Sequence, residues 1–255
     1  MKSFCALFLI LSLGVWGIAH GQTDVLTQVS TIDALMTGVY DGEKTLGWLR
    51  EKGDFGHGTF NTLDGEMVVL DGQVYRVTAA GTVERPPMET KTPFASVTFF
   101  EPDRNLPLEP GIDFQRFVQK VGSLLPSPNI FYAMKITGTF RTVKARSVPA
   151  QKKPYRPLSE VVKTQPVFEL KNVQGTIVGF WCPPYVKGIN VPGYHLHFLT
   201  ADRKAGGHVL DFNVEKATLE IDDTRELSLV LPSDSAFDQA DLTVDREKEL
   251  KAVEK

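Results

Sequence analysis

Short apolar runs separated by turn residues dominate this chain, and they predict mainly strands. Two such runs, 66–70 and 73–77, flank Asp71-Gly72, a dipeptide typical of a type I′ turn, so they predict a β-hairpin. The segment 129–148 alternates apolar and polar positions over a length that fits one long strand or a strand pair. Further strands are predicted after it, at 167–170, 175–181, 194–199, 208–214, 217–222 and 227–231.

The helical patterns are few and short. Apolar residues recur at helical spacing over 112–121, which predicts an amphipathic helix, and 158–163 predicts a brief one. The segment 25–32 fits either a strand or a short helix. We therefore predict an α+β fold with two β-rich halves, a mixed sheet and a small barrel-like sheet, and a few short helices.

Prolines at 149, 154 and 157 predict a linker between these halves. The expected organisation is an N-terminal β-rich α+β domain over 22–150 and a C-terminal β domain over 151–238. A charged, helix-prone tail follows over 239–255. Composition alone favours a frayed, solvated end for this tail, although Leu242, Leu250 and Val253 are able to share one face.

Residues 1–21 have the pattern of a secretory signal peptide. Lys2 precedes an apolar run from Phe4 to Ile18, and Ala19-His20-Gly21 fits a small-x-small cleavage site. The run is shorter than the roughly 20 residues that a membrane-spanning helix needs. Cleavage would leave Cys182 as the one cysteine, which excludes an intramolecular disulfide. A secreted or periplasmic location is therefore expected, without a membrane anchor after cleavage.

The charge balance narrows the choice of partners. The formal net charge is −3, the pI is about 6.0, and no basic block stands out. Nucleic-acid binders carry a basic footprint that this chain lacks. The expected partners are a small-molecule substrate and a second copy of the chain in a homodimer.

The candidate chemistry lies in a histidine cluster, because three of the five histidines fall at positions 195, 197 and 208. His195 and His197 are two residues apart on a predicted strand and therefore point to the same side. Gly206-Gly207 predicts a turn after which His208 returns on the neighbouring strand. Three imidazoles arranged in this way favour a Zn²⁺ site of the catalytic kind, which keeps a coordination position open. We therefore place a metal site on the strands of the second half.

Other interpretations of the cluster remain open on these residues alone. The histidines would also fit half-buried positions that hydrogen-bond to backbone. A secreted zinc hydrolase or hydratase would use the same ligands to activate water, although the helical His-Glu-x-x-His pattern of many zinc peptidases is absent. A metal-binding module without turnover is a third alternative.

Five segments, in this order and spacing, make the chain resemble the bacterial α-acetolactate decarboxylases along nearly its whole mature length. The segments are TFNTLDGEM at 59–67, GTF at 138–140 with KARS at 144–147, GTIVGF at 175–180, GYHLHF at 193–198 and GGHVLDF at 206–212. The resemblance implies a zinc enzyme that converts 2-hydroxy-2-methyl-3-oxobutanoate to acetoin, in the R form, and carbon dioxide through a metal-bound enediolate. It also implies that His195, His197 and His208 are the zinc ligands.

The same resemblance identifies Glu66, Arg146 and Glu254 as the catalytic charged residues around the metal. The planar fork of Arg146 suits a carboxylate or an enediolate oxygen. Glu66 would orient a water or the substrate hydroxyl, or ligate the metal directly. For Glu254, the resemblance alone argues that the tail folds back to the site.

Overall fold

The computed structural model of this protein describes residues 24–254, so the predicted signal peptide at 1–21 lies outside the described residues. The strands are β1 Val25–Val29, β2 Lys44–Thr45, β3 Phe55–Thr59, β4 Glu66–Leu70, β5 Gln73–Val77, β6 Val83–Glu84, β7 Lys91–Thr92, β8 Ala95–Thr98, β9 Arg104–Leu108, β10 Phe131–Arg146, β11 Val167–Cys182, β12 Gly193–Thr200, β13 Gly206–Thr224 and β14 Glu226–Val230. The helices are α1 Ile32–Thr37, α2 Leu46–Arg50, α3 Phe114–Gly122, α4 Leu158–Val161, α5 Ser235–Asp238 and α6 Glu247–Val253, with 3₁₀ turns at Asn61–Leu63, Val162–Thr164 and Pro184–Val186. None of the helices in this part of the chain has the length and apolarity needed to cross a bilayer.

The first large sheet has seven strands in the order β14-β1-β8-β3-β4-β5-β6. Its strands pair antiparallel except for β1 and β14, which run parallel. The predicted hairpin is confirmed as β4 and β5. Asp71 and Gly72 between them have φ values of 52° and 69°, the positive values that a type I′ turn requires at both positions.

The second sheet has five strands in the order β10-β11-β12-β13-β9, and β10 also pairs with β13. The long strand β10 therefore has β11 on one side and β13 on the other. At one end β12 connects β11 to β13, so these four strands pair in a ring. Large aromatic side chains, among them Phe117, Phe140, Phe198 and Phe212, are fully buried in the core of this sheet.

The main difference from the sequence prediction is that separately predicted strands form single, longer strands. The helix expected at 112–121 is α3, capped by the Asp113 side chain. The strands expected at 208–214 and 217–222 form one strand, β13, with irregular register against β10. The segment 25–32 resolves as a strand, β1, followed by α1. The protein is thus rich in β-structure, with several sheets and few short helices, as expected.

The two large sheets take their strands from both sides of the proline segment. Strands β9 and β10 precede Pro149 and pair in the second sheet, whereas β14 follows it and pairs with β1 in the first. Apolar residues of both sheets share one core cluster, which includes Phe55 and Val68 from the first and Phe180 from the second. The division into domains 22–150 and 151–238 stays a prediction.

Candidate metal centre

The three predicted ligands meet on neighbouring strands. His195 and His197 lie on β12 and His208 lies on β13, directly opposite His197 in the antiparallel register. Their ring centroids are 5.0 to 5.3 Å apart, and all three side chains are buried. The alternation of side chains along β12 and the pairing of β12 with β13 thus bring the three imidazoles to one side, as predicted. The turn predicted at Gly206-Gly207 was wrong, because both glycines lie in β13 and the turn falls at 201–204.

A backbone contact fixes the orientation of His197. Its Nδ1 lies 2.8 Å from the carbonyl oxygen of Met67. Since a carbonyl only accepts, Nδ1 carries the proton and donates, which leaves the Nε2 lone pair free. That Nε2 lies 3.3 Å from Nε2 of His195, close to the ~3.4 Å expected between two nitrogens bound tetrahedrally to one zinc.

Two carboxylates approach these imidazoles from different elements. Glu66 begins β4, and its Oε2 lies 3.6 Å from Nε2 of His197. Oε2 of Glu254 lies 3.6 Å from Nε2 of His208 and 3.9 Å from Nε2 of His195. The structure therefore brings both predicted glutamates to the histidines.

The tail reaches the site because its last helix docks. Leu250 and Val253 of α6 are buried in a core cluster with residues of α1 and α4, while Leu242 is half-buried. Lys187 contacts the carboxylates of Asp245 and Glu247 at 2.8 and 2.9 Å. The prediction of a solvated tail, which composition alone favours, was thus wrong. Composition does not reveal that distant segments of the chain form an apolar surface for α6.

Arg146 ends β10 opposite His208 and is 4% exposed. Its Nη1 donates to Oε1 of Gln165 at 2.7 Å, while its buried Nε has no hydrogen-bond partner in the described structure. Burial is the main cause of the pKa shifts of Glu66, Glu254 and the three histidines, and the positive charge of the guanidinium acts to lower each of these pKa values. The guanidinium therefore supplies a fixed positive charge beside the cluster.

These side chains line one cavity of about 40 Å³. Its polar lining includes Thr59, Glu66, Arg146, Glu254 and the three histidines. Apolar walls come from α1, α4, α6 and neighbouring segments, among them Leu35, Phe94 and Val253. The Thr59 hydroxyl donates to the Gly65 carbonyl at 2.7 Å, which holds the turn before Glu66.

Burial sets the protonation of the site. It raises the pKa of Glu66 to about 7, against the opposing charge of Arg146, and Glu254 adds to the rise. Burial likewise raises the pKa of Glu254 to about 7, again against Arg146. Burial lowers the pKa of His197 to about 3 and that of His195 and His208 well below the usual value. The imidazoles are therefore neutral near pH 7, the form that ligates metals.

Sequence reasoning missed His57, a fourth buried histidine in the glycine-rich strand β3. Its ring centroid lies 4.1 Å from that of His195 and 4.8 Å from that of His197. A single histidine between two glycines carries no spacing signal. The contact arises only because the first sheet packs against the second, with β3 against β11 and β4 against β12.

The donor set fits a metal ion. Among the described residues, the ligand atoms of His195, His208 and Glu254 lie within 4.8 Å of one another, and so do those of His57, His195 and His197. Neutral imidazoles combined with carboxylate match the ligand preference of zinc. A divalent cation would also offset the mutual repulsion of Glu66 and Glu254 once both are ionised.

The chain is similar to known proteins over most of its length. The sequence profile of the family "Alpha-acetolactate decarboxylase" matches residues 26–244. The chain belongs to the α-acetolactate decarboxylase family. An α-acetolactate decarboxylase of Methanosarcina mazei is 49% identical over 238 residues, covering 93% of this chain and 83% of that protein. One from Methylococcus capsulatus is 44% identical over 237 residues, covering 93% and 91%.

Solved structures of α-acetolactate decarboxylases share the fold. The crystal structure of the Bacillus subtilis strain 168 protein superimposes with a TM-score of 0.89 at 43% identity, covering 90% of this chain and 99% of that one. The family profile extends across both large sheets and the histidine cluster. This chain is therefore an enzyme of the decarboxylase family, as the sequence motifs predict.

Proposed function

We propose that the protein decarboxylates 2-acetolactate (2-hydroxy-2-methyl-3-oxobutanoate) to (R)-acetoin and carbon dioxide, with Zn²⁺ as its cofactor. The observation that carries this proposal is the convergence of His195, His197 and His208 with two carboxylates and Arg146 on one buried cavity. Loss of carbon dioxide from a β-keto acid leaves an electron pair that the neighbouring carbonyl must accept. Two positive groups, the Arg146 guanidinium and the proposed zinc, would stabilise the negative charge that develops on this carbonyl.

The three histidines and Glu254 would hold the zinc. Bound there, zinc is a Lewis acid that would polarise the keto oxygen and accept the developing negative charge. The Met67 carbonyl keeps the proton of His197 on Nδ1, so its Nε2 faces the other imidazoles. The docking of α6 positions the Glu254 carboxylate beside them.

Arg146 is proposed to bind the substrate carboxylate. Its buried Nε is unpartnered, so the guanidinium retains donors for an anion. Gln165 holds Nη1 at 2.7 Å and limits the rotation of the group. A rigid fork of this kind orients the carboxylate before it leaves as carbon dioxide, because the neutral product no longer matches the positive charge.

Glu66 is proposed to hold and deliver a proton. Its pKa, raised to about 7 by burial, lets the carboxyl group exchange a proton near neutral pH. Glu66 lies at a fixed place on β4, so a proton from it would reach one face of the planar intermediate. Delivery to one face yields one enantiomer of acetoin.

An assay of the purified, metal-replete protein with racemic acetolactate tests this function. We expect acetoin and carbon dioxide to form without oxygen or an organic cofactor, and chiral chromatography to show the R enantiomer. Hydrolysis of esters or hydration of carbon dioxide, with no acetoin, would favour a zinc hydrolase or hydratase instead. Stoichiometric zinc with none of these activities would indicate a binding module.

We further propose export through the segment 1–21 and assembly as a homodimer. Export is supported by the n-region, apolar run and cleavage pattern of that segment. Mass spectrometry of the secreted chain, which should begin near Gln22, tests the cleavage. Sedimentation analysis of the mature protein tests the dimer.

A further inference from the structure

His57 lies as close to the predicted ligands as they lie to each other. Its ring centroid is 4.1 Å from that of His195, whereas His195 is 5.2 Å from His197 and 5.0 Å from His208. The residue is 1% exposed, and its Nδ1 has no hydrogen-bond partner among the described residues. A buried polar ring with an unsatisfied nitrogen is costly unless something binds it.

The local structure holds this ring in place. Strand β3 lies between β4 and β8, so its backbone is paired on both edges. Gly56 has a φ of 155°, and a side chain at Gly58 would meet the carbonyl of Phe94 at 2.4 Å. The two glycines therefore let β3 lie close against β8. The His57 ring also packs against Phe180 at 5.5 Å.

The candidate ligands form two groups that overlap. One consists of His195, His208 and Glu254, and the other of His57, His195 and His197, each with ligand atoms within 4.8 Å. Two nitrogens bound tetrahedrally to one zinc are ~3.4 Å apart, so the ligand atoms of either group would have to approach one another by about 1.4 Å or less to share an ion. Both groups contain His195, so one ion at a time would occupy them.

We propose that His57 is a metal ligand, and that the ion can occupy either of two overlapping positions at this centre. The first position includes the Glu254 carboxylate, and the second is formed by the imidazoles of His57, His195 and His197. An all-imidazole set suits Zn²⁺, Cu²⁺ or Ni²⁺ rather than cations that prefer oxygen. This inference rests on the metal binding of the proposed function but adds a ligand and a second position to it.

The proposal predicts a specific dependence between two residues. If the two positions are alternatives, His57 matters little while Glu254 is present, because the first position remains. Once Glu254 is removed, the ion depends on the second position. His57→Phe, which keeps a ring of similar shape without a donor, should therefore weaken Zn²⁺ binding less than threefold alone. In the Glu254→Ala background it should weaken binding at least tenfold.

The experiment is a Zn²⁺ titration against a chelator for the wild type, both single variants and the double variant. Phe140→Leu in both backgrounds is the control, because it changes a buried aromatic ring that packs against Phe198 and Phe212 and against none of the described histidines. This change should alter Zn²⁺ binding by the same factor in each background. A His57→Leu protein repeats the test if the phenylalanine is not accommodated, and circular dichroism confirms folding.

Electron paramagnetic resonance spectra of the Cu²⁺-loaded protein give an independent measurement of the ligands. Nitrogen hyperfine structure of Glu254→Ala protein loaded with Cu²⁺ should indicate three imidazoles, and the double variant should lose one. Equal His57→Phe factors in both backgrounds, with unchanged hyperfine structure, would overturn the assignment and leave the zinc centre intact. A wild-type protein that binds no Zn²⁺ would refute the zinc centre itself and the His57 assignment with it.

Discussion

The carboxylate of Glu254 lies 3.6 Å from Nε2 of His208, and this contact joins the last helix to the strand that carries a predicted metal ligand. Glu254 occupies the C-cap of α6, whose Leu250 and Val253 are buried against α1 and α4. The carboxylate therefore reaches the site only while the helix is docked. The site is therefore complete only while the tail is ordered.

Removing the tail should separate folding from activity. A protein ending at Lys251 loses Glu254 and the burial of Val253, which contributes about 1.5–3 kcal/mol. We expect it to fold and to lose most of its kcat, and Glu254→Ala should behave in the same way. Steady-state kinetics and circular dichroism check this, with the exposed Lys248→Ala as the matched control on α6. Normal turnover by the truncated protein would contradict the role of Glu254.

Replacing two ligands should empty the metal site. In the His195→Ala/His197→Ala protein, two of the three predicted zinc ligands on β12 and β13 are gone, and zinc per chain should fall from one to a small fraction. Elemental analysis after dialysis measures this. The change should also abolish acetoin formation, and a double variant that retains stoichiometric zinc would refute the ligand assignment.

The success and failure of sequence reasoning have physical causes in particular residues. The hairpin around Asp71-Gly72 and the convergence of His195, His197 and His208 depend on short-range geometry, namely a turn and the alternation of side chains along a strand. Both are therefore readable from the sequence. The contact between His57 and His195 depends on the packing of two sheets, and no local pattern encodes it.

The C-terminal tail, 239–255, is a second case in which the local sequence does not predict a tertiary contact. Its charged composition is typical of a solvated end, and Leu250 and Val253 are too few to predict a docking helix. Their partners, such as Leu35 and Leu158, come from separate segments that only the folded chain brings together. The family resemblance supplied the position of Glu254 that composition could not.

Glu66→Gln should keep the zinc and the fold but lose a factor of about 10² or more in kcat. The amide preserves the size of the side chain but cannot release or deliver a proton. Kinetics with acetolactate measure the loss, and chiral chromatography shows whether residual acetoin becomes racemic. Glu215→Gln, at an exposed position, is the control. A kcat near that of the wild type would make Glu66 a structural residue.

Arg146→Lys should likewise reduce kcat by about 10² or more, because a lysine cannot reproduce the planar fork or the hydrogen bond to Gln165. The positive charge is retained, so zinc content and stability should change little. The control is Arg141→Lys on the exposed side of the same strand. If both lysine variants turn over equally, the fork geometry of Arg146 has no role.

Acid should destabilise the metal-free protein. His57, His195, His197 and His208 all have a folded pKa below 6.5, so below that pH the unfolded chain binds protons that the folded chain does not. Glu66 and Glu254, with folded pKa values of about 7 against 4.5, oppose this between pH 4.5 and 7 because the folded chain then binds more protons.

The four histidines change the difference in bound protons between the unfolded and folded chains more than the two glutamates do. The free energy of unfolding should therefore fall as the pH drops below 6.5. The slope should be roughly 1–3 kcal/mol per pH unit. Urea titrations of the metal-free protein at pH 7.5, 6.5 and 5.5 measure it. Stability that is flat or rises toward pH 5.5 would show that the histidines are protonated in the folded state.

Two residues at the end of the chain, Val253 and Glu254, form part of the wall of the cavity beside the histidines. The helix that ends there, α6, is held by the burial of Leu250 and Val253 against distant segments. Local unfolding of this one short helix would therefore expose the histidines to solvent. Hydrogen exchange of the α6 amides would then report how often solvent reaches the centre.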